Sequence, residues 1–214
     1  MSPGATQLTV QEDITDYLAA PIYGRLEVLA MPSPVPRGSG VYGWWFRELP
    51  GAMDPHACVS RDGLTLLYAG ISPKRPTMNG RTPSRQTLQS RIKTHYCGNA
   101  EGSTLRRSLG CLLAPALSLE LRRYGSGTRL HFGTGEQELS RWMDRNAFVS
   151  WLSTPEPWLL EEEILHTLDL PLNLDNNQHN GFHSILTEIR ADAAARARSL
   201  PALPNPGVGG SRID

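Results

Sequence analysis

The chain is poor in cysteine. Its 214 residues hold three, Cys58, Cys97 and Cys111, with no C-x-x-C pair. An odd, scattered set argues against a disulfide framework or a zinc ribbon and suits a reducing cytoplasm. Net charge is also missing, because 21 Lys+Arg cancel 21 Asp+Glu. That balance excludes a uniformly polybasic coat of the histone kind. No apolar run approaches the roughly 20 residues of a membrane-spanning helix, so no membrane partner is expected. Met1-Ser2-Pro3-Gly4 has neither the basic start nor the apolar stretch of a signal peptide, and the expected location is cytoplasmic. Walker A and G-x-S-x-G sequences are absent, which removes the P-loop and nucleophile-elbow classes.

What is present is ordinary globular material. At 39% apolar and 20% charged residues the chain can bury a core, and its length suits one domain with an elaborated edge. Residues 1–36 read as an N-terminal appendage, with a Thr9-x-x-Glu12 capping box, a short stripe of Ile14, Tyr17 and Leu18, and a proline-rich break over 31–36. Residues 37–200 form the expected folded domain, and 201–214, with three prolines and three glycines, a flexible tail.

Within the domain, Val41 to Phe46, Thr65 to Ile71 and Phe148 to Ser153 are short apolar runs between turn residues and read as strands. The first two form an antiparallel pair with a long connection that carries Pro50-Gly51 and Asp62-Gly63. Two short strands are expected around Gly125-Ser126-Gly127. Helices are expected from Ser84 to about Tyr96, after Ser103, from Glu136 to Asn146, after Pro155 and Pro157, and along Phe182, Ile185, Ile189 and Ala193. The fold class is α/β, with a small, mostly antiparallel three-stranded sheet flanked by helices, an elaborated first hairpin and an extra C-terminal helix.

Four pieces of this pattern can carry chemistry. Gly40-Val41-Tyr42 opens one strand and Tyr68-Ala69-Gly70 ends the next. Arg91 and His95 share one helix face beside the Leu88/Ile92 stripe. A cation there can grip a phosphate where the dielectric drops, although a solvated arginine and a packed edge histidine would fit the same spacing. Leu160 and Ile164 mark the buried side of the next helix, which leaves Glu161 at its border and Glu162 and Glu163 further into solvent. Early-helix glutamates also favour the dipole, yet a single carboxylate suffices for Mg²⁺ when phosphate supplies other ligands. A tyrosine acting as base must lose a proton with pKa near 10, about 4 kcal/mol uphill at pH 7, and so needs a cation beside it. Arg91 and Lys74 are the candidates. His179-x-x-x-His183 lacks a second ligand pair and is expected to cap or pack. The loop 99–104 leads into a helix start, where backbone N–H groups can either meet a phosphate or serve only the cap.

In that order, these pieces resemble the GIY-YIG nuclease family. GVY at 40–42 and YAG at 68–70 stand at the two name-giving motifs, with Ala69 replacing the usual isoleucine. Leu88-x-x-Arg91-Ile92-x-x-His95 is similar to the helix with the catalytic arginine. Glu161 before Ile164-Leu165 matches the metal-binding glutamate, and Asn173 after Pro171 the terminal asparagine. The likeness runs from about 38 to 175, with a connection between the two motifs much longer than the family's hairpin. It implies phosphodiester hydrolysis by a set of Tyr42, Tyr68, Arg91, His95, Glu161 and Asn173, with Glu161 holding Mg²⁺ or Mn²⁺. The expected substrate is DNA, with RNA also open, as is the oligomeric state. The alternative is a non-catalytic nucleic-acid-binding module on the same scaffold.

The zero net charge conceals a division. Residues 72–107 carry eight basic side chains against one acid, and 136–163 carry seven acids against two arginines. Lys74, Arg75, Arg85, Lys93, Arg106 and Arg107 are therefore expected to track a phosphate backbone, while the acidic segment supplies the metal ligand.

Overall fold

The computed structural model describes residues 12–76 and 84–205. A helix covering 12–19 (α1) and a short turn of helix, Arg25–Val28 (α2), precede strand β1, Gly40–Phe46. Then follow β2 (Ser60–Arg61), β3 (Leu64–Ser72), α3 (Leu88–Cys97), α4 (Thr104–Leu112), α5 (Ala114–Leu117), β4 (Arg122–Tyr124) and β5 (Arg129–His131). The chain closes with α6 (Gly135–Asn146), β6 (Ala147–Ser153), α7 (Pro157–Thr167) and α8 (His183–Ser199). No helix among the described residues is long and apolar enough to cross a membrane.

The main sheet has four strands, not the expected three, in the order β2-β3-β1-β6 with every pair antiparallel. The added strand comes from the long connection. Asp62 and Gly63 both take positive φ, 53° and 73°, the backbone of a two-residue hairpin turn, and they fold Ser60–Arg61 back onto Leu64–Thr65. Arg61 fastens this hairpin to α1, donating to the carbonyls of Leu18 and Ala20 and lying over the Trp45 ring. β4 and β5 form a separate pair, where the sequence suggested two short strands.

Alternation along the strands divides the core. Tyr42, Trp44, Phe46 and Tyr68 face α3, α4, α6 and α8, whereas Val41, Trp45, Leu66, Ala69 and Ile71 face α1 and α7. One bulge, opposite Trp44/Trp45, adds Leu67 to β3 and puts Leu67 and Tyr68 on the same face. Residues 12–36 are bound to this frame. Ile14 and Tyr17 are buried under the sheet, and Tyr23 pairs with Val149. Thr9 and the rest of 1–11 lie outside the described residues, as do 206–214. Of the expected tail, Leu203 is docked by backbone bonds to Arg123 and Gly125.

α3 begins at Thr87, not Ser84. Thr87 and Ser90 exchange side-chain and backbone bonds in a reciprocal cap, whereas Ser84 closes only a local turn to Gln86. Leu88, Ile92 and Tyr96 then bury one face of α3. Each such aliphatic side chain stabilises by about 1.5–3 kcal/mol, which fixes the helix that carries Arg91. The stretch 38–43 also reads G-x-G-x-x-G, but it runs into a strand and not from a strand into a helix, so it makes no dinucleotide loop.

Candidate active site

β2 covers only the start of β3, and the remainder of that edge opens into a cleft of about 650 Å³. The two helical layers meet there. Tyr42, Tyr68, Arg91 and Thr104 come from the α3/α4 side, Trp158, Glu161 and Glu162 from α7, and Asn173 and Asp175 from the loop after it.

Tyr42 lies across β3 because its partner in register is Gly70. A Cβ on Gly70 would stand 2.6 Å from the Tyr42 hydroxyl, closer than any real contact. The motif's other glycine is needed in the same way: a Cβ on Gly40 would meet the Leu152 carbonyl at 2.3 Å and Leu88 at 2.7 Å. Gly70→Ala should therefore displace the Tyr42 ring, at a cost of about 1–3 kcal/mol of overpacking. Activity should fall at least tenfold while the thermal melt moves only a few degrees. Unchanged activity in that variant would show that the hydroxyl's position is unimportant.

A chain of hydrogen bonds runs inward from Arg91. Its Nε donates to the Tyr42 hydroxyl at 3.3 Å, and the hydroxyl lies 2.9 Å from His95 Nε2. His95 Nδ1 is 2.7 Å from Ser103 Oγ, which also accepts the Arg106 backbone N–H as the α4 cap. Burial, then Arg91 and Arg106, hold the His95 pKa well below its ordinary value, so the ring is neutral. Burial, with Tyr68 adding to it, holds Tyr42 well above the usual phenol range against the opposing pull of Arg91. A neutral ring carries one N–H, so His95 donates at one nitrogen and accepts at the other, linking Tyr42 to Ser103. His95 is fully buried; it orients Tyr42 and does not itself reach the cleft.

Tyr68 is the more accessible phenol, at 9% against 1% for Tyr42. Burial raises its pKa too, while bonds to Thr104 and the Arg91 charge oppose the rise. Burial pulls Arg91 down, but Tyr42 and Tyr68 outweigh it and the net shift is upward, so Arg91 stays charged. Its Nη1 is pinned to the Gly102 carbonyl at 3.0 Å.

Asn173 is buried, and both polar atoms of its amide bond to Ala69. Oδ1 accepts from Ala69 N at 2.9 Å and Nδ2 donates to Ala69 O at 2.8 Å, so the side chain replaces a neighbouring strand at the open edge of β3. It holds the loop that borders the cleft, which it also lines.

Glu161 stands at the border of the buried face of α7, as the spacing required. Burial first, and Asp175 second, push its carboxyl up to about 7 despite Lys74 nearby. The carboxylate has no ion-pair partner within 4.0 Å among the described residues. No three His, Cys, Asp or Glu side chains among them gather into a closed metal cage. One unpaired carboxylate in a polar cleft fits a hard divalent cation that draws its other ligands from water and phosphate.

The expected phosphate-tracking residues separate. Lys74 and Arg75 are exposed at the cleft, while Arg85 and Lys93 are exposed but outside it. Arg107 is half-buried and pairs with Glu101. Arg106 is not a surface contact at all. Its side chain is completely buried and bonded to Glu136 at 2.7 Å, so it cannot meet a polynucleotide. Glu162 reaches the cleft rim, closer than its solvent-facing spacing suggested. Thr104 ends the 99–104 loop, whereas the polar cleft residues His166, Asp175, Asn176 and Arg190 were not singled out in the sequence. Asp175 had a weak signal, two places after Asn173; Arg190 had none, being one of several arginines on a helix.

The model of the GIY-YIG catalytic domain matches residues 40–192, more than half of the chain. Neither the curated proteins nor the solved structures contain a match to it.

Proposed function

The chain belongs to the GIY-YIG family, and from that premise of nuclease-type function we propose a divalent-metal-dependent endonuclease that hydrolyses phosphodiester bonds in DNA. The observation that carries this reading is the meeting of Tyr42, Tyr68, Arg91 and Glu161 around one open cleft. Arg91, fixed by Tyr42 and Gly102, binds the scissile phosphate and neutralises the charge that grows on it. Tyr42, held by His95, orients the attacking water, and Tyr68 flanks it. Glu161 would hold Mg²⁺ or Mn²⁺, and such an ion supplies Lewis-acid stabilisation of the leaving oxygen. Glu161 also raises the pKa of both phenols, so neutralising its charge eases proton loss from either one. Asn173 keeps the cleft loop against β3.

The test is incubation of the purified protein with supercoiled DNA, linear DNA and RNA, with Mg²⁺, with Mn²⁺ and with chelator. Cleavage is expected only with the metals. Arg91→Lys, which keeps charge but loses the planar fork, should cut about a hundredfold more slowly. Binding without cleavage under every metal condition would favour the non-catalytic module instead.

A further inference from the structure

Arg190 on α8 is a half-buried cleft cation to which the nuclease reading gives no role. It lines the cleft opposite α7 and is tied to α4 through Nη1, which donates to Ser108 Oγ at 3.3 Å. Among the described residues no carboxylate lies within ion-pair distance of it. The acid nearest in influence, Asp175, acts only at longer range. The cation that weighs on it is Arg107, whose single acidic partner, Glu101, is already taken. Arg107 thus keeps Glu101, Arg190 has no acid of its own within ion-pair distance among the described residues, and an anion entering beside Arg190 relieves the repulsion between the two cations. Burial and Arg107 lower the Arg190 pKa, as expected for an uncompensated cation in a half-buried setting.

Tyr68 lies within electrostatic reach of both Arg91 and Arg190, and each arginine is pinned separately, one to Gly102 and one to Ser108. Two cations carried by different helices, each with its own anchor, can each take a phosphate of its own. We propose that Arg190 forms a second phosphate subsite, which binds the backbone phosphate adjacent to the scissile one on the strand being cut. The subsite rests on the nuclease reading above and deepens it. It sets the register in which the strand lies across Arg91, and it requires a polynucleotide, since a mononucleotide cannot occupy both positions.

Two measurements test it. The first is binding of a labelled DNA duplex without divalent metal over a salt series; the second is cleavage kinetics with Mg²⁺. Losing one phosphate contact lowers the slope of log K against log salt by about 0.9 on duplex DNA. Arg190→Gln should show that drop and about a tenfold higher KM, with kcat changed less than KM. Arg198→Gln, an exposed arginine on the same helix, should leave both unchanged. If Arg190→Gln fails to fold, Arg190→Lys replaces it and should keep the slope but raise KM. An unaltered slope in Arg190→Gln, an equal drop in Arg198→Gln, or an unaltered KM in Arg190→Lys overturns the subsite. Wild-type cleavage with an unaltered slope would defeat the subsite and leave the nuclease reading standing. The slope change without wild-type cleavage would keep Arg190 as a phosphate contact and defeat the nuclease reading, and with it the place beside a scissile phosphate.

Discussion

Glu161→Gln is expected to lower cleavage roughly a thousandfold or more, because it removes the buried cleft carboxylate that would hold the proposed cation. The same change should make the protein more stable at neutral and alkaline pH. The carboxyl is raised from 4.5 to about 7 by burial and by Asp175, so the folded protein binds its proton more tightly than the unfolded chain. Both states are protonated below about pH 4.5 and the group then costs nothing. Between about pH 4.5 and 7 the unfolded chain loses this proton while the folded protein keeps it, so stability falls by up to about 3 kcal/mol across that window and levels off above 7. Glutamine avoids that loss, so denaturant curves of wild type and variant should coincide near pH 4, diverge between about 4.5 and 7, and stay a constant distance apart above 7. Mg²⁺ should restore stability to the wild type and not to Glu161→Gln, and raising Mg²⁺ should shift the wild-type pH–rate midpoint downward. Coincident curves at pH 8 would show that Glu161 is not the strained, metal-seeking carboxylate described.

How far the sequence led depended on whether a feature was local. β1, β3 and β6 are apolar runs between turn residues, so their existence could be read directly. The glycines of both motifs are required by contacts that a linear pattern already encodes through register. β2 was missed for the opposite reason: Ser60 and Arg61 have no apolar pattern and become a strand only because the Asp62-Gly63 turn brings them back. That dipeptide is a hairpin signal, and reading it as a mere link was the error. The six family positions converge in space, but their roles divide once burial is known. His95 is buried behind Tyr42 and outside the cleft, and Asn173 lines the cleft while bonding the edge of β3, whereas Arg91 and Glu161 face the cleft. Basic residues were the least legible, since Lys74 and Arg106 look alike in a charge count and differ only in what lies across from them.

Arg106→Leu shows what that difference is worth. The variant is expected to lose about 3–5 kcal/mol, because it leaves Glu136 half-buried with its charge unmatched. For a chain of this size the melting temperature should fall by about 10 °C or more. Arg106 also donates to Ser140 Oγ and to the carbonyls of His95 and Tyr96 at the end of α3. Its guanidinium therefore joins α4 and α6 to the helix that carries Arg91. Pairing it with Glu136→Leu should recover only part of the loss. Glu136 Oε1 separately accepts the N–H groups of Ala100 at 2.8 Å and Phe132 at 3.1 Å, and both would be orphaned. A double-mutant cycle by chemical denaturation should thus give a clear coupling energy while the double variant remains less stable than wild type. If Arg106→Leu instead melted like wild type and lost only DNA affinity, Arg106 would be a surface contact after all, as the charge count alone had suggested.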